Sequence, residues 1–314
     1  MIANADTHNM KSKIAAIVGT YNRKEVFAIC LDAILQQEHK PHSVFIIDNA
    51  STDGTEALVN ELGYNGEKEG IRFIYVKLPE NIGGSGGFYS GMKMAFESSE
   101  KFDAFWLMDD DGIPDKKQLG YLVTNLDQYD YISPIVVSKE DTSVLSFGGC
   151  PVSEFIQYAE NDRIEGAANP FNGVLFSRKV VEKIGYPVRD MFIWGDEINY
   201  GRRCIKAGFN PVMDVRAVHV HPKDRQPRVQ LKENEQITVP KEDWKLYCFV
   251  RNSIYNVRTI SRTRHYLKVC VDTWWQYTRY FTCRDYNWRR LGIVYRAIFD
   301  GYRKDLSRLS CYKK

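Results

Sequence analysis

The sequence predicts an α/β protein: a mostly parallel sheet flanked by helices, followed by a C-terminal helical extension. Three observations carry that expectation. Between residues 13 and 135, short apolar runs alternate with segments whose apolar residues recur at helical spacing, the pattern of repeated βα units. The runs are continuously apolar, as in strands covered on both faces. Beyond residue 240 the composition changes: residues 241–314 hold 17 Lys and Arg against 6 Asp and Glu, whereas residues 1–240 hold 26 against 34.

Taken in order, Ile14–Val18 reads as a buried parallel strand ending at Gly19. Lys24–Gln37 places Val26, Ile29, Cys30, Ala33 and Ile34 at helical spacing. Val44–Ile47 is a second strand, stopped by Asp48 and Asn49, and Thr52–Thr55 is turn chemistry that opens a helix over Thr55–Leu62. Ile71–Val76 is a third strand, Gly84–Glu97 a helix with a glycine-rich start, and Ala104–Met108 a fourth strand running into Asp109-Asp110-Asp111-Gly112. Ile132–Val137, Val144–Phe147 and Val174–Phe176 are shorter and predict mixed or antiparallel strands. Asp196–Ala207 reads as a helix, Pro211–Val220 as extended chain, Pro222–Pro240 as a loop, and 241–308 as two or three helices. The domain organisation that follows is an irregular terminus over 1–12, an α/β domain over 13–240 and a basic, aromatic helical region over 241–314.

Composition excludes several classes. With 314 residues, 44% hydrophobic and 26% charged, the chain is long enough for one large domain and an appendage. No apolar run approaches the roughly 18–20 residues of a membrane span. Met1–Lys13 is polar and has no apolar h-region, so no secretory signal is expected. The seven cysteines are scattered without a C-x-x-C pair, which argues against a disulfide framework or a cysteine zinc site and fits a reducing cytoplasm.

The strongest chemical signal is Asp109-Asp110-Asp111 at the end of Phe105–Met108. Three adjacent carboxylates repel one another, so a fold that gathers them holds a divalent cation or leaves them in water. Asp109 and Asp111 can share a hard ion on one side, Mg²⁺ or Mn²⁺ bridging a diphosphate. Asp48-Asn49-Ala50-Ser51-Thr52-Asp53-Gly54 can hydrogen-bond a base or ribose, or serve as a plain Asx turn. Asn81-Ile82-Gly83-Gly84 offers backbone N–H groups at a helix start, suited to phosphate or sugar oxygens. It is not a dinucleotide-binding G-x-G-x-x-G with an acidic partner. Phe192-Ile193-Trp194-Gly195-Asp196-Glu197, followed by Arg203, sets an aromatic sugar platform beside a general base. Its alternative is an amphipathic helix whose acids face water. His219-Val220-His221 sits on extended chain, where alternate residues share a face and both imidazoles could reach one cation.

Together these segments, with Ile17-Val18-Gly19-Thr20-Tyr21-Asn22-Arg23, resemble the family 2 glycosyltransferases, which have the GT-A fold; the resemblance runs over roughly residues 13–260. The Asn81–Phe88 and Trp194–His221 stretches are similar to galactofuranosyltransferases, and rhamnosyltransferases of cell-surface polysaccharide synthesis are the next resemblance. It implies that Thr20, Asp48 and Asn49 line a uridine or thymidine pocket, with Asn22, Arg23, Asn81, Gly83 and Gly84 also binding the nucleotide sugar. It also implies that Asp109 and Asp111 bind the metal and Asp110 the sugar or ribose. His221 completes the metal site, with His219 as the fallback. Glu197 is the base, where the family has Asp, with Asp196 as the alternative, and Trp194 meets the acceptor. The galactofuranosyl branch favours Trp where this chain has Val220.

The expected activity is therefore metal-dependent inverting transfer, with galactofuranose from UDP-galactofuranose as the leading donor and dTDP-rhamnose as the alternative. The acceptor would be a glycan or polyprenol-linked sugar. The basic aromatic tail predicts attachment to an anionic membrane surface on the cytoplasmic face, or a homo-oligomer contact; nucleic acid is not expected as a partner. More distant alternatives are a nucleotidyltransferase and an inactive nucleotide-sugar-binding module. The first lacks a basic glycine-rich signature between Ile14 and Lys24.

Overall fold

A computed structural model describes residues 12–168, 171–223, 226–260 and 263–312. The irregular terminus expected over 1–12 lies outside the described residues apart from Ser12. The chain divides into two compact units, one of Met1–Arg189 with Arg203–Asp224 and the other of Asp190–Arg202 with Arg225–Lys314.

The first unit is a layered α/β structure built on a ten-stranded sheet. Its strands are β1 (Ile14–Thr20), β2 (Ser43–Asp48), β3 (Gly66–Lys68), β4 (Ile71–Lys77), β5 (Ala104–Asp109), β6 (Ile113–Pro114), β7 (Tyr131–Ser138), β8 (Arg163–Glu165), β9 (Val174–Ser177) and β10 (Pro211–His221). The order is β3-β4-β2-β1-β5-β9-β7-β10-β6, with β8 paired to β10. β4, β2, β1 and β5 run parallel, as their continuously apolar sequences predict. β9 runs antiparallel to both β5 and β7, and β7 is parallel to β10. Of the three short strands expected between 132 and 176, Val144–Phe147 forms no strand: Leu145 makes only an isolated bridge to Val137. Three apolar residues around Ser146 suffice for the pattern, but pairing with β7 stops at the Ser138–Val144 and Ser146–Val136 backbone bonds.

The helices of this unit are α1 (Lys24–Leu35), α2 (Thr55–Glu61), α3 (Gly83–Glu97), α4 (Gln118–Val123), α5 (Val152–Ile156) and α6 (Arg178–Ile184). α1 buries Phe27, Cys30, Leu31, Ile34 and Leu35; of the expected stripe only Cys30 and Ile34 face the core, while Ile29 is 48% exposed, because the buried face is rotated toward Phe27 and Leu31. α3 approaches β1 and β2 so closely that a Cβ on Gly91 would come within 2.5 Å of Ile17 Cγ2. This is why a helix in this position tolerates glycine despite its entropic cost. α7 (Asp196–Lys206) crosses the division of the chain, its first turns grouping with the second unit and its last with the first.

The second unit contains a hairpin, β11 (Arg228–Lys232) with β12 (Glu235–Thr238), and three helices, α8 (Asp243–Ile260), α9 (Thr263–Cys283) and α10 (Trp288–Arg303). The hairpin replaces the loop expected over Pro222–Pro240. Its polar residues disguised an alternation of Val229, Leu231, Ile237 and Val239, of which the last three are buried in the helical core. Residues 226–240 therefore group with the helices of the second unit. That core also takes Leu246, Tyr247, Phe281, Val294 and Ala297. Among the described residues, no helix is long and apolar enough to cross a membrane.

Substituting Gly91→Ala forces the methyl into Ile17 and Ile47, with no flexible polar chain to yield. The expected cost is about 1–3 kcal/mol of unfolding free energy, read as a lowered denaturant midpoint; an unchanged midpoint would show that α3 shifts freely.

Candidate functional site

The site in the first unit is assembled by strand register. Parallel pairing sets Thr20 beside Asp48 and Gly19 beside Asp109, so β1, β2 and β5 deliver their C-terminal residues to the same edge. That edge is where ligands bind in open parallel sheets. β5 is buried throughout its apolar part and Asp109 is its last residue. The chain then turns through Asp110–Gly112 into β6, which pairs antiparallel with β10 so that Val220 opposes Ile113. This pairing, absent from any local sequence signal, brings the histidine strand against the acidic turn.

As a result, Asp109, Asp111 and His221 each offer a ligand atom within 4.8 Å of the others. His221 Nε2 lies 3.3 Å from Asp111 Oδ1. Its Nδ1–H donates to the Pro222 carbonyl at 2.7 Å, which orients the ring so that Nε2 faces the acids. Arg23 closes the other side, its Nη1 donating to Asp110 Oδ1 at 3.1 Å and to Asp111 Oδ2 at 2.8 Å. Thr20 donates to Asp110 Oδ2 at 2.8 Å. Both Asp110 oxygens are thus engaged by the protein.

The electrostatics follow from this crowding. Burial, reinforced by the Asp111 charge, pushes Asp109 up to about 7. Burial likewise raises Asp110 to about 6, against the pull of Arg23. Burial acts the same way on Asp111, but the hydrogen bond and charge of His221 outweigh it and leave Asp111 below the usual carboxylate range. His221 is the mirror case: burial disfavours its charge, and Asp111 lifts it above its ordinary value. A cation is what this set of hard oxygen and imidazole donors would take, since added positive charge relieves the strain on Asp109.

The two histidines, on one face by strand periodicity, have separate fates. His219 is fully buried beneath the acidic turn and lies outside the group that Asp109, Asp111 and His221 form. Its Nδ1 meets Gln118 Oε1 at 3.1 Å. Burial, with the His221 charge adding, pushes it down to about 3, so it stays neutral. A Cβ on Gly112 would sit 2.2 Å from His219 Nε2, and one on Gly173 2.7 Å from its Nδ1. The ring is a wedge that sets the height of the acidic turn, a part that sequence spacing could not distinguish from a ligand.

Asp48 is fully buried. Its oxygens accept from the Ser51 N–H at 2.7 Å and the Tyr75 hydroxyl at 2.5 Å, so its own part is to shape the Asp48–Ser51 turn. Asn22 stitches that turn to the first loop: its N–H donates to Ser51 Oγ at 2.9 Å and its Oδ1 accepts from the Thr52 N–H at 2.8 Å. Asn49 differs from both. It is 3% exposed, packed where a Cβ on Gly87 would meet its Nδ2 at 2.9 Å, and its Oδ1 is buried without a hydrogen-bond partner. A buried acceptor left open is a mark of a ligand's donor. Asn81 Oδ1 accepts from the Gly83 N–H at 2.8 Å, an Asx turn that opens α3 at Gly83 and Gly84.

The second unit carries the other predicted residues. A cleft of about 170 Å³ is lined by Trp194, Gly195, Glu197, Ile198, Arg202, Gln226, Phe249, Ser253, Asn256 and Val257. Trp194 and Phe249 meet edge to face, rings 6.2 Å apart. Glu197 is half-buried and accepts from the Gly195 N–H through Oε2 at 3.0 Å. Asp196 is 6% exposed and is not among the cleft-lining residues. Arg203 belongs to the first unit, where its guanidinium bonds the carbonyls of Ile184 and Tyr186.

The loop before Glu197 is strained, with Phe192 at φ 72° and Trp194 at φ 58°, a region side chains rarely occupy. Asn252 holds it there, its Nδ2 reaching the carbonyls of Met191, Ile193 and Trp194 at 3.0, 2.9 and 2.8 Å. Asn256 adds Gly195 O at 2.7 Å, and the fully buried Arg251 adds Asp190 O and Met191 O at 3.2 and 2.9 Å. Sequence reading missed Asn256 and the service of Asn252; the only signal was two asparagines four apart on one face of a helix.

The model of Glycosyl transferase family 2 matches residues 15–185. The chain belongs to that family. It is 32% identical over 229 residues to galactofuranosyltransferase GlfT1 of Mycobacterium tuberculosis, covering 68% of this chain and 71% of that protein. It is 29% identical over 225 residues to GlfT1 of Mycolicibacterium smegmatis, covering 67% and 70%. A more distant relative is the poly-β-1,6-N-acetyl-D-glucosamine synthase of Staphylococcus aureus, 26% identical over 57% of this chain and 42% of that one. Among solved structures, GalNAc-T7 with UDP, GalNAc and Mn²⁺ shares the fold at TM-score 0.57 and 10% identity, over 79% of this chain and 48% of that chain. The mannosyltransferase PcManGT of Pyrobaculum calidifontis, with GDP-Man and Mn²⁺, does so at TM-score 0.53 and 15% identity, over 93% and 79%. The protein is a glycosyltransferase of GT-A fold.

Because Asn252 serves three carbonyls at once, Asn252→Ala leaves them unpaired beside a strained backbone. The expected cost is about 1–3 kcal/mol, measured by chemical denaturation. Asn252→Asp, equal in size but without donors, should behave alike. Wild-type midpoints in both variants would mean that the loop is held by other groups.

Proposed function

We propose that this glycosyltransferase moves galactofuranose from UDP-galactofuranose, with inversion, onto a glycan or polyprenol-linked acceptor of a cell-surface polysaccharide. The observation that carries the chemistry is the convergence of Asp109, Asp111 and His221 within 4.8 Å; the donor reading rests on the likeness to the two GlfT1 proteins.

The residues suit these tasks. Asn49 Oδ1, buried and unpartnered, would accept from the imide N–H that uracil and thymine share and purine nucleotides do not offer in the same form. Thr20 and Arg23 keep Asp110 oriented. At the start of α3 the Gly83 N–H is taken by Asn81 Oδ1, and the Gly84 N–H suits a donor oxygen. A divalent cation, Mn²⁺ or Mg²⁺, held by Asp109, Asp111 and His221 would supply charge neutralisation for the leaving diphosphate.

Glu197 is the proposed base. One of its oxygens is held by the Gly195 N–H, which leaves the other to take the acceptor hydroxyl's proton. The acceptor oxygen then bonds to the anomeric carbon as the bond from that carbon to the phosphate oxygen breaks, its electron pair leaving with UDP. One displacement inverts the centre, so no protein nucleophile is required. Trp194 and Phe249 offer the acceptor sugar an aromatic wall.

Two outcomes test the reading. In a donor screen by nucleotide release, UDP-galactofuranose should turn over above dTDP-rhamnose and all purine nucleotide sugars, and excess EDTA should abolish release until Mn²⁺ or Mg²⁺ is restored. Preference for dTDP-rhamnose would move the donor assignment, and full turnover in EDTA would remove the metal. Separately, Glu197→Gln should cost about 10²–10⁴-fold in rate with UDP affinity unchanged by calorimetry. An active Glu197→Gln beside an inactive Asp196→Asn would transfer the role to Asp196.

A further inference from the structure

The outward faces of α9 and α10 have no part in the chemistry above, yet they carry most of the exposed large hydrophobic side chains among the described residues of the second unit. Each helix spends one side on the core: Tyr277 and Phe281 from α9, Leu291, Val294 and Ala297 from α10. The opposite side of α9 presents Leu267, Val271, Trp274 and Trp275, between 43% and 60% exposed. α10 presents Trp288, Tyr295, Phe299 and Tyr302, between 38% and 67% exposed. Their positions recur at three, four and seven residues, so each set is a stripe along its helix.

The two stripes join. The Trp274 and Tyr295 rings are 6.4 Å apart and tilted by 30°, the Thr278 and Tyr295 hydroxyls are 2.9 Å apart, and Tyr266 stacks on Tyr302 at 5.6 Å. Cations edge the joined patch. Arg303 and Arg296 lie 5.6 and 6.0 Å from the Phe299 ring centre, and Arg258 lies 4.9 Å from that of Tyr302. Among the described residues, neither Arg296 nor Arg303 has a carboxylate within salt-bridge distance. α9 and α10 hold seven Lys and Arg against two Asp. Of those two, Asp272 is paired with Lys268 at 2.5 Å and Asp300 is fully buried. The patch therefore presents positive charge with little negative charge to offset it.

We propose that this face docks the protein onto an anionic lipid bilayer, α9 and α10 lying in the interface with their aromatic side chains among the headgroups. Charge decides between occupants. A second copy docking face to face would set like charges against one another, which costs affinity, whereas an anionic surface complements every unpaired arginine. Tryptophan and tyrosine, apolar in body with a polar tip, suit the headgroup level. No spanning helix is needed, since aromatic burial and several cations together suffice for reversible attachment. The proposal is independent of the donor reading, because docking requires no nucleotide sugar.

The test is co-sedimentation of the full chain with phosphatidylglycerol-containing vesicles and with pure phosphatidylcholine vesicles. Binding is expected to the first, to weaken with salt, and to be minor to the second. Arg296→Gln and Arg303→Gln should each lower the partition coefficient roughly fivefold. Trp275→Ser with Phe299→Ser should nearly abolish binding while leaving the melting temperature and UDP affinity unchanged. If that pair misfolds, Val271→Glu, at the 60% exposed position, carries the same test. Absence of binding to anionic vesicles overturns the proposal, as does binding unaffected by these variants. A concentration-dependent dimer lost in the Trp275→Ser, Phe299→Ser variant, without vesicle binding, would reassign the face to a second copy.

Discussion

Three consecutive carboxylates at the end of a buried strand are the constraint on which the first unit's site depends. Asp109 and Asp110 are raised toward neutrality by burial, and a protonated acid there would be a poor cation ligand. The fold answers with groups drawn from far along the chain. Thr20 and Arg23 come from the end of β1 and the loop after it, and His221 comes from the end of β10. None of these is local to the triplet. The parallel register of β1 with β5 and the short antiparallel pairing of β6 with β10 are what bring them there.

That arrangement explains details that otherwise look incidental. Gly112 and Gly173 leave room for a neutral histidine, and His219 fills it. The acidic turn thus rests on a ring that carries no charge of its own, and the charges that offset the mutual repulsion of the carboxylates are those of Arg23 and His221. Trp106 Nε1 and Gln118 Nε2 both donate to Gly173 O, tying this support to the sheet. A polar network so fully satisfied, apart from His219 Nε2, keeps the turn in one conformation.

The second unit solves a different problem, the upkeep of a strained loop. Phe192 and Trp194 adopt left-handed conformations, and side chains of α8 absorb the carbonyls that this leaves without helical or sheet partners. The arrangement turns Trp194 and Glu197 into one cleft. The same unit turns its aromatic excess two ways. Tyr247, Tyr277 and Phe281 are consumed by the core, while the outward rings of α9 and α10 remain in contact with solvent.

Sequence alone determined the parallel strands, the helices between them, the acidic triplet as a candidate site and the family resemblance, because each rests on contiguous residues whose period or order is self-contained. Tertiary structure decided the rest. His219 and His221 are equivalent by strand periodicity, and only the β6–β10 pairing makes one a partner of Asp111 and the other a buried wedge. Asp48 and Asn49 are adjacent polar residues in sequence, yet Ser51 and Tyr75 each engage one oxygen of the first while the second keeps an open acceptor. Val144–Phe147 reads as a strand yet makes only an isolated bridge to β7, and the apolar alternation of β11–β12 becomes visible only once its residues are seen buried in the helical core. In each case the outcome turned on partners distant in sequence, and hydrogen bonding and burial are properties of those partners, which no local pattern encodes.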